Sequence, residues 1–152
     1  MQLIKKCSWP LILSFFFMLM MTVSGFSAEA DPNRKADSEK PSHYVAVTYF
    51  HSSFRCMTCR KIEEFSKDAV QFNFEKELKS GKLIWQTINV DEPENKHYIK
   101  EYQLYTKSLI VSEVRDGKEV RWKNLKNIWT LVRSKEKFEG YVTTEIKEWL
   151  KE

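Results

Sequence analysis

The chain opens with Lys5 and Lys6, then the uncharged apolar run "WPLILSFFFMLMMTV", then the small residues of "SGFSAEA". Basic, apolar and small-residue regions in that order mark a secretory signal peptide over residues 1–30, with cleavage expected after Ala30 and Ser27 as the alternative. The run is shorter than the roughly 20 apolar residues of a spanning helix. Removal is therefore expected rather than retention as an anchor, leaving no stable membrane span. The next stretch, "DPNRKADSEKPSH" over 31–43, has charge, Pro and Ser but almost nothing apolar, and reads as a flexible leader. The folded domain is expected over 44–152.

Within that domain the hydrophobic rhythm alternates between two periods. Tyr44 to Phe50 is a continuous apolar and aromatic run with β-branched Val45, Val47 and Thr48, which predicts a buried strand. The polar loop "HSSFR" leads to a helix starting near Cys56, in which Cys59, Ile62, Ala69, Val70, Phe74 and Leu78 recur at helical spacing. Ser66 and Asp68 predict a break near Ser66, and Gly81 ends the helix. "KLIWQTINV" is a second strand, Asp91 and Pro93 turn the chain, and "ENKHYIKEYQL" is a short helix. "SLIVSEV" and "KEVRWKNL" form a hairpin across Asp116-Gly117. A last helix, capped by Ser134, repeats Phe138, Val142, Ile146 and Trp149 on one face. Alternating units succeeded by a hairpin predict an α/β fold: a mixed four-stranded sheet with helices on both faces.

Composition narrows the function classes. A chain of 152 residues suits one domain, and 14% aromatic residues supply a core. The net charge of +4 comes from scattered rather than blocked residues, which gives no case for nucleic acid. No phosphate loop or dinucleotide-binding glycine motif is present, so no cofactor is expected. Cys7 is expected to leave with the signal peptide, so the mature domain keeps only Cys56 and Cys59. An exported, periplasmic location lets that pair persist as a disulfide.

A C-x-x-C directly after a strand and at a helix start is the context of a redox dithiol. The unpaired N–H groups and positive end of the helix dipole stabilise a thiolate at Cys56, below the free value of about 8.5. Arg55 and Arg60 add positive charge in the same direction. Cys56 is then the nucleophile and Cys59 the resolving thiol, exchanging electrons with a protein partner. Other readings remain open. A purely structural disulfide closing so short a loop removes little chain entropy. A copper site would use both thiolates, with Met57, whereas zinc would have only His43, His51 and His97 to complete four ligands. A non-enzymatic docking subunit is a further alternative.

With those residues in view, the sequence from Tyr44 to Leu150 resembles the thioredoxin-like superfamily. More narrowly, "YFHSSFRCMTCRKIE", "INVDEPENKHYIKEYQLYTKS" and "KNIWTLV" resemble a bacterial family of nitrophenyl-compound nitroreductase subunits, small exported thioredoxin-fold proteins. That resemblance implies a chain that relays electrons to a partner holding the cofactor. Against thioredoxins themselves, Arg55 and Met57-Thr58 replace the usual Trp and Gly-Pro around the cysteines. The strand before the motif lacks the usual buried acid, leaving His51, water or substrate to handle protons. Where thioredoxins place a cis-proline, this chain has Lys107-Ser108, so a trans peptide is expected there. Ser108 is a candidate hydrogen-bond donor to a sulfur or a bound peptide, or a plain strand-start serine. The tryptophans read as core and rim packing, and Asp91, Glu92 and Glu94 as a solvated helix start.

Overall fold

The computed structural model describes residues 41–151. The signal peptide and most of the leader expected from the sequence lie outside the described residues.

Four strands form one sheet: β1 (His43–His51), β2 (Leu83–Asn89), β3 (Ser108–Arg115) and β4 (Lys118–Asn124). Their order is β2-β1-β3-β4. β1 runs parallel to β2 and antiparallel to β3, which pairs antiparallel with β4. The parallel step encloses α1 (Met57–Asn73) and the single turn α2 (Glu75–Lys79). A 3₁₀ turn (Pro93–Asn95) and α3 (His97–Glu101) link β2 to β3. α4 (Ile128–Leu131) and α5 (Lys135–Leu150) close the chain. This is the mixed four-stranded α/β arrangement expected from the sequence, with the central strand β1 delivering the chain to the cysteine motif.

Alternation along β1 explains the layering, because successive side chains point to opposite faces. Val45, Val47 and Tyr49 join Leu83, Leu109 and Val111 beneath Ile62 and Val70 of α1 and Phe138, Val142 and Ile146 of α5. Phe50 and Ile110 face the other way, against Tyr98, Tyr102 and Leu104 around α3. The hairpin turn is Asp116-Gly117, both at positive φ (50° and 74°). Such a two-residue turn matches the twist of its strands.

Two expectations are corrected and one element is added. The sequence pattern places His51 in the loop; it is instead the last residue of β1 and only 6% exposed, because its pairing with Asn89 continues the ladder. The helix does not break near Ser66. That hydroxyl is buried and donates to the Ile62 carbonyl one turn back, so it caps nothing. The break falls at Phe74, whose non-helical backbone (φ −134°, ψ 34°) lets its ring enter the core. Finally, α4 has no counterpart among the elements expected, since a single turn carries too few residues to show a period.

Gly81 ends α2 at φ +74°, and a Cβ there would stand 3.0 Å from the Pro41 ring. At the far end of β1 from the cysteines, Glu113 is buried yet ionic. It accepts from His43 Nε2 at 2.8 Å, Arg115 Nε at 2.6 Å and Arg121 Nε at 2.5 Å. Burial pushes its carboxyl up, but the three donors outweigh that and hold it at about 2. Among the described residues no helix is long and apolar enough to cross a membrane.

Candidate functional site

β1 ends at His51, and the chain crosses Ser52–Arg55 to reach Cys56, the N-cap of α1. Cys56 and Cys59 are joined as a disulfide with Cα atoms 5.0 Å apart. One helical turn supplies that separation, which is within the range a disulfide spans. The Cys59 N–H donates to Cys56 Sγ at 3.1 Å. This sulfur therefore occupies the position of a capping oxygen and takes one of the helix's otherwise unpaired N–H groups. Cys56 is half-buried, whereas Cys59 is only 3% exposed. An attacking sulfur reaches Cys56 first.

Beneath the pair, Tyr49 donates its hydroxyl to the Cys59 carbonyl at 2.9 Å. Burial, then the Glu63 charge, holds that phenol protonated far above its ordinary range. Tyr49 thus acts as a fixed donor supporting the turn that carries Cys59.

Arg55 bridges two side chains: its guanidinium donates to Glu63 on α1 and to His51 Nε2. The His51 ring makes its other bond through Nδ1, 3.1 Å from the Ser52 carbonyl. A carbonyl only accepts and a guanidinium only donates, so His51 is neutral, with its proton on Nδ1 and Nε2 accepting. Its accepting nitrogen is thereby occupied by Arg55 rather than offered to a sulfur.

The loop has a second anchor. Ser53 N–H donates to Asp91 Oδ2 at 2.8 Å, and Asn89 Nδ2 donates to Ser53 Oγ at 3.2 Å. The Ser53 N–H is the main reason the Asp91 carboxyl sits below its ordinary value. Ser52 Oγ also donates to the Phe54 carbonyl at 3.0 Å. Both ends of the loop are therefore tied to the scaffold.

The structure joins Cys56 to Cys59 and, separately, Arg55 to His51. Arg60 lies exposed on α1, and its side chain makes no ion pair among the described residues. Ser108 starts β3 opposite Phe50, and its hydroxyl donates to the Thr106 carbonyl at 3.0 Å. Thr106 and Lys107 line a cavity of about 160 Å³ together with His51, Ser52 and Tyr105. Among the described residues no three His, Cys, Asp or Glu side chains converge as a metal-binding group.

Sequence reasoning missed Tyr49, Glu63 and Asp91. Tyr49 reads as a core strand residue, and Glu63 as part of the polar face of a helix. Asp91 reads as part of a solvated turn, and it is exposed, but it reaches across 38 residues to the loop. The one signal for Asp91 is placement: parallel pairing sets the end of β2 beside the end of β1.

No protein-family model matches the chain, and no curated protein matches it. Among solved structures, it is similar to Fasciola hepatica thioredoxin at 20% identity, covering 62% of this chain and 81% of that one, with a TM-score of 0.38. The oxidised thioredoxin of Plasmodium falciparum matches at 19% identity over 62% and 81%, with a TM-score of 0.38. The reduced Schistosoma mansoni thioredoxin pre-protein matches at 17% identity over 66% and 84%, with a TM-score of 0.40.

Proposed function

We propose that this chain is a thioredoxin-like thiol–disulfide oxidoreductase that exchanges electrons with a protein partner through Cys56 and Cys59. The observation that carries the reading is the disulfide itself: one sulfur caps a helix and is reachable, and the other is buried one turn behind it.

From the oxidised form, exchange begins when a partner thiolate attacks Cys56 Sγ. A mixed disulfide forms and the Cys59 thiolate is expelled and takes up a proton. The partner's second thiol loses its proton and attacks its own sulfur in the mixed disulfide, expelling Cys56 as a thiolate. Two electrons have then moved from a partner dithiol to the Cys56–Cys59 pair, and the reverse sequence reduces a partner disulfide. The chain's part is to make Cys56 a good leaving group and nucleophile. The Cys59 N–H, already on Cys56 Sγ at 3.1 Å, stabilises the thiolate, and the helix dipole adds to it.

The export reading rests on the basic, apolar and small-residue order of residues 1–30, and the link to a nitroreductase system on the sequence resemblance. In that setting the dithiol passes its electrons to a subunit that holds the cofactor.

Cys59→Ser tests the exchange, because it removes the thiol that resolves the mixed disulfide. The variant is expected to accumulate a covalent adduct when the Cys56 thiolate attacks a disulfide protein and expels one of its sulfurs, visible by mass and reversed by reductant. No adduct from Cys59→Ser, with glutathione disulfide also inert, contradicts the reading.

A further inference from the structure

The sheet has two edge strands, and they are finished differently. β4 carries Lys118, Glu119, Arg121 and Lys123, and its pairing with β3 shifts register between Glu113 and Val114. Charges and bulges are how folded proteins keep an edge from pairing with another chain. β2 has neither. Its seven residues, "LIWQTIN", include no charge and no proline, and they pair with β1 without a shift. Among the described residues β1 is the one strand β2 pairs with. The Val45 N–H donates to the Lys82 carbonyl and the Val90 N–H to the His51 carbonyl, each at 2.8 Å. Backbone groups alternate in direction along a strand, so those of the even-numbered residues face β1. The N–H and C=O groups of Leu83, Trp85 and Thr87 therefore point out of the sheet edge. Asn89 shares that direction, but its carbonyl accepts from Asn95 Nδ2 at 3.0 Å.

We propose that this edge pairs antiparallel with β2 of a second copy, about a two-fold axis at Trp85, joining the two four-stranded sheets into one. In that register Trp85 lies opposite Trp85 of the other copy, and Leu83 lies opposite its Thr87. Each outward N–H and C=O of these three residues then meets a partner. Trp85, half-buried against the core, gains the cover of its twin, and Ile84, half-buried on the other face, meets Gln86. Charge sets the direction. Lys82 precedes the strand and Asp91 follows it, so an antiparallel pair turns basic end toward acidic end, whereas a parallel pair aligns like with like. Two-fold symmetry also closes the contact after two copies. The edge is short, roughly 23 Å at the rise of a strand, so the dimer is expected to be weak, dissociating on the order of 10 μM. Cys56 follows the end of β1, which runs parallel to β2. Antiparallel pairing therefore sets the two cysteine pairs at opposite ends of the joined sheet, where both stay open. The proposal stands independently of the redox reading.

Sedimentation equilibrium and amide hydrogen exchange on the full chain, purified as its host processes it, test the pairing. A reversible monomer–dimer equilibrium is expected, and the amides of Leu83, Trp85 and Thr87 should exchange with solvent more slowly as concentration rises. Those of Ile84 and Gln86, already facing β1, should not change. Thr87 is exposed on β2, and Thr87→Lys, which gives this edge a charge, is expected to weaken dimerisation by about tenfold or more. Val120→Lys puts the same charge on β4, where Val120 is 51% exposed, and is expected to leave the dissociation constant within about twofold. Both variants should keep the parent's circular dichroism and its rate of exchange with glutathione. A chain that stays monomeric up to about 1 mM overturns the proposal, whether the edge is bare or covered by the leader. So does a dimer that Thr87→Lys leaves intact, or one that does not protect the three outward amides, since either pairs through another surface. The amide data come from the unaltered chain and decide the matter even if a variant fails to fold.

Discussion

At the residue scale, the charge on Arg55 is shared rather than simply added to the site. Its guanidinium is bound to Glu63 on one side and to neutral His51 on the other. Its influence on a Cys56 thiolate is therefore offset by a carboxylate two turns along α1. Removing either partner should move the thiol in opposite directions. Arg55→Met is expected to raise the Cys56 pKa in the reduced protein and slow its alkylation at pH 6.5 by about threefold. Glu63→Gln, which frees the guanidinium, is expected to lower the pKa and speed alkylation. A pH series of iodoacetamide reaction rates measures both, and shifts in the same direction would contradict this account.

At the element scale, two contacts anchor the start of β1 and the exit from α2. Glu113 is a buried carboxylate with three donors, so removing it takes the shared acceptor from His43, Arg115 and Arg121, whose own side chains reach solvent. Glu113→Ala is expected to destabilise the fold by about 2 kcal/mol, the scale of lost charge-assisted hydrogen bonds, read from denaturant unfolding. The sign of its pH dependence comes from the carboxyl's lowered value. Folding keeps Glu113 ionised down to about 2, below its unfolded value. Its contribution is thus complete above the ordinary glutamate range and is lost as pH falls through that range toward 2. Glu113→Gln should flatten that part of the stability profile. At the end of α2, Gly81→Ala places a Cβ at positive φ and 3.0 Å from the Pro41 ring. A cost of about 1–2 kcal/mol is expected from the backbone conformation, measured as a lower denaturation midpoint.

At the scale of the whole molecule, local periodicity carried most of the fold. The buried strand before the motif, the helical spacing after it and the Asp116-Gly117 turn were legible because each depends on near neighbours in sequence. The cysteine pair was legible for the same reason. The hidden features depend on long-range contact. Ser66 carries the sequence signal of a helix break, yet burial turns its hydroxyl back on its own helix. His51 reads as a loop residue until the parallel partner Asn89 draws it into the sheet. Asp91 gains its role only because the ends of β1 and β2 lie side by side, and Glu63 gains its role only when Arg55 turns toward α1. The chain thus shows its cysteine pair locally and holds it by contacts spread across the fold.

The central claim is that the Cys56–Cys59 bond is exchangeable rather than a staple, and its two-electron potential tests that most directly. The purified domain is equilibrated across glutathione ratios, quenched and weighed to give the oxidised fraction. A single two-electron transition more oxidising than about −300 mV is the predicted result, since structural disulfides generally lie below that value. A pair that stays oxidised at every glutathione ratio would contradict the account.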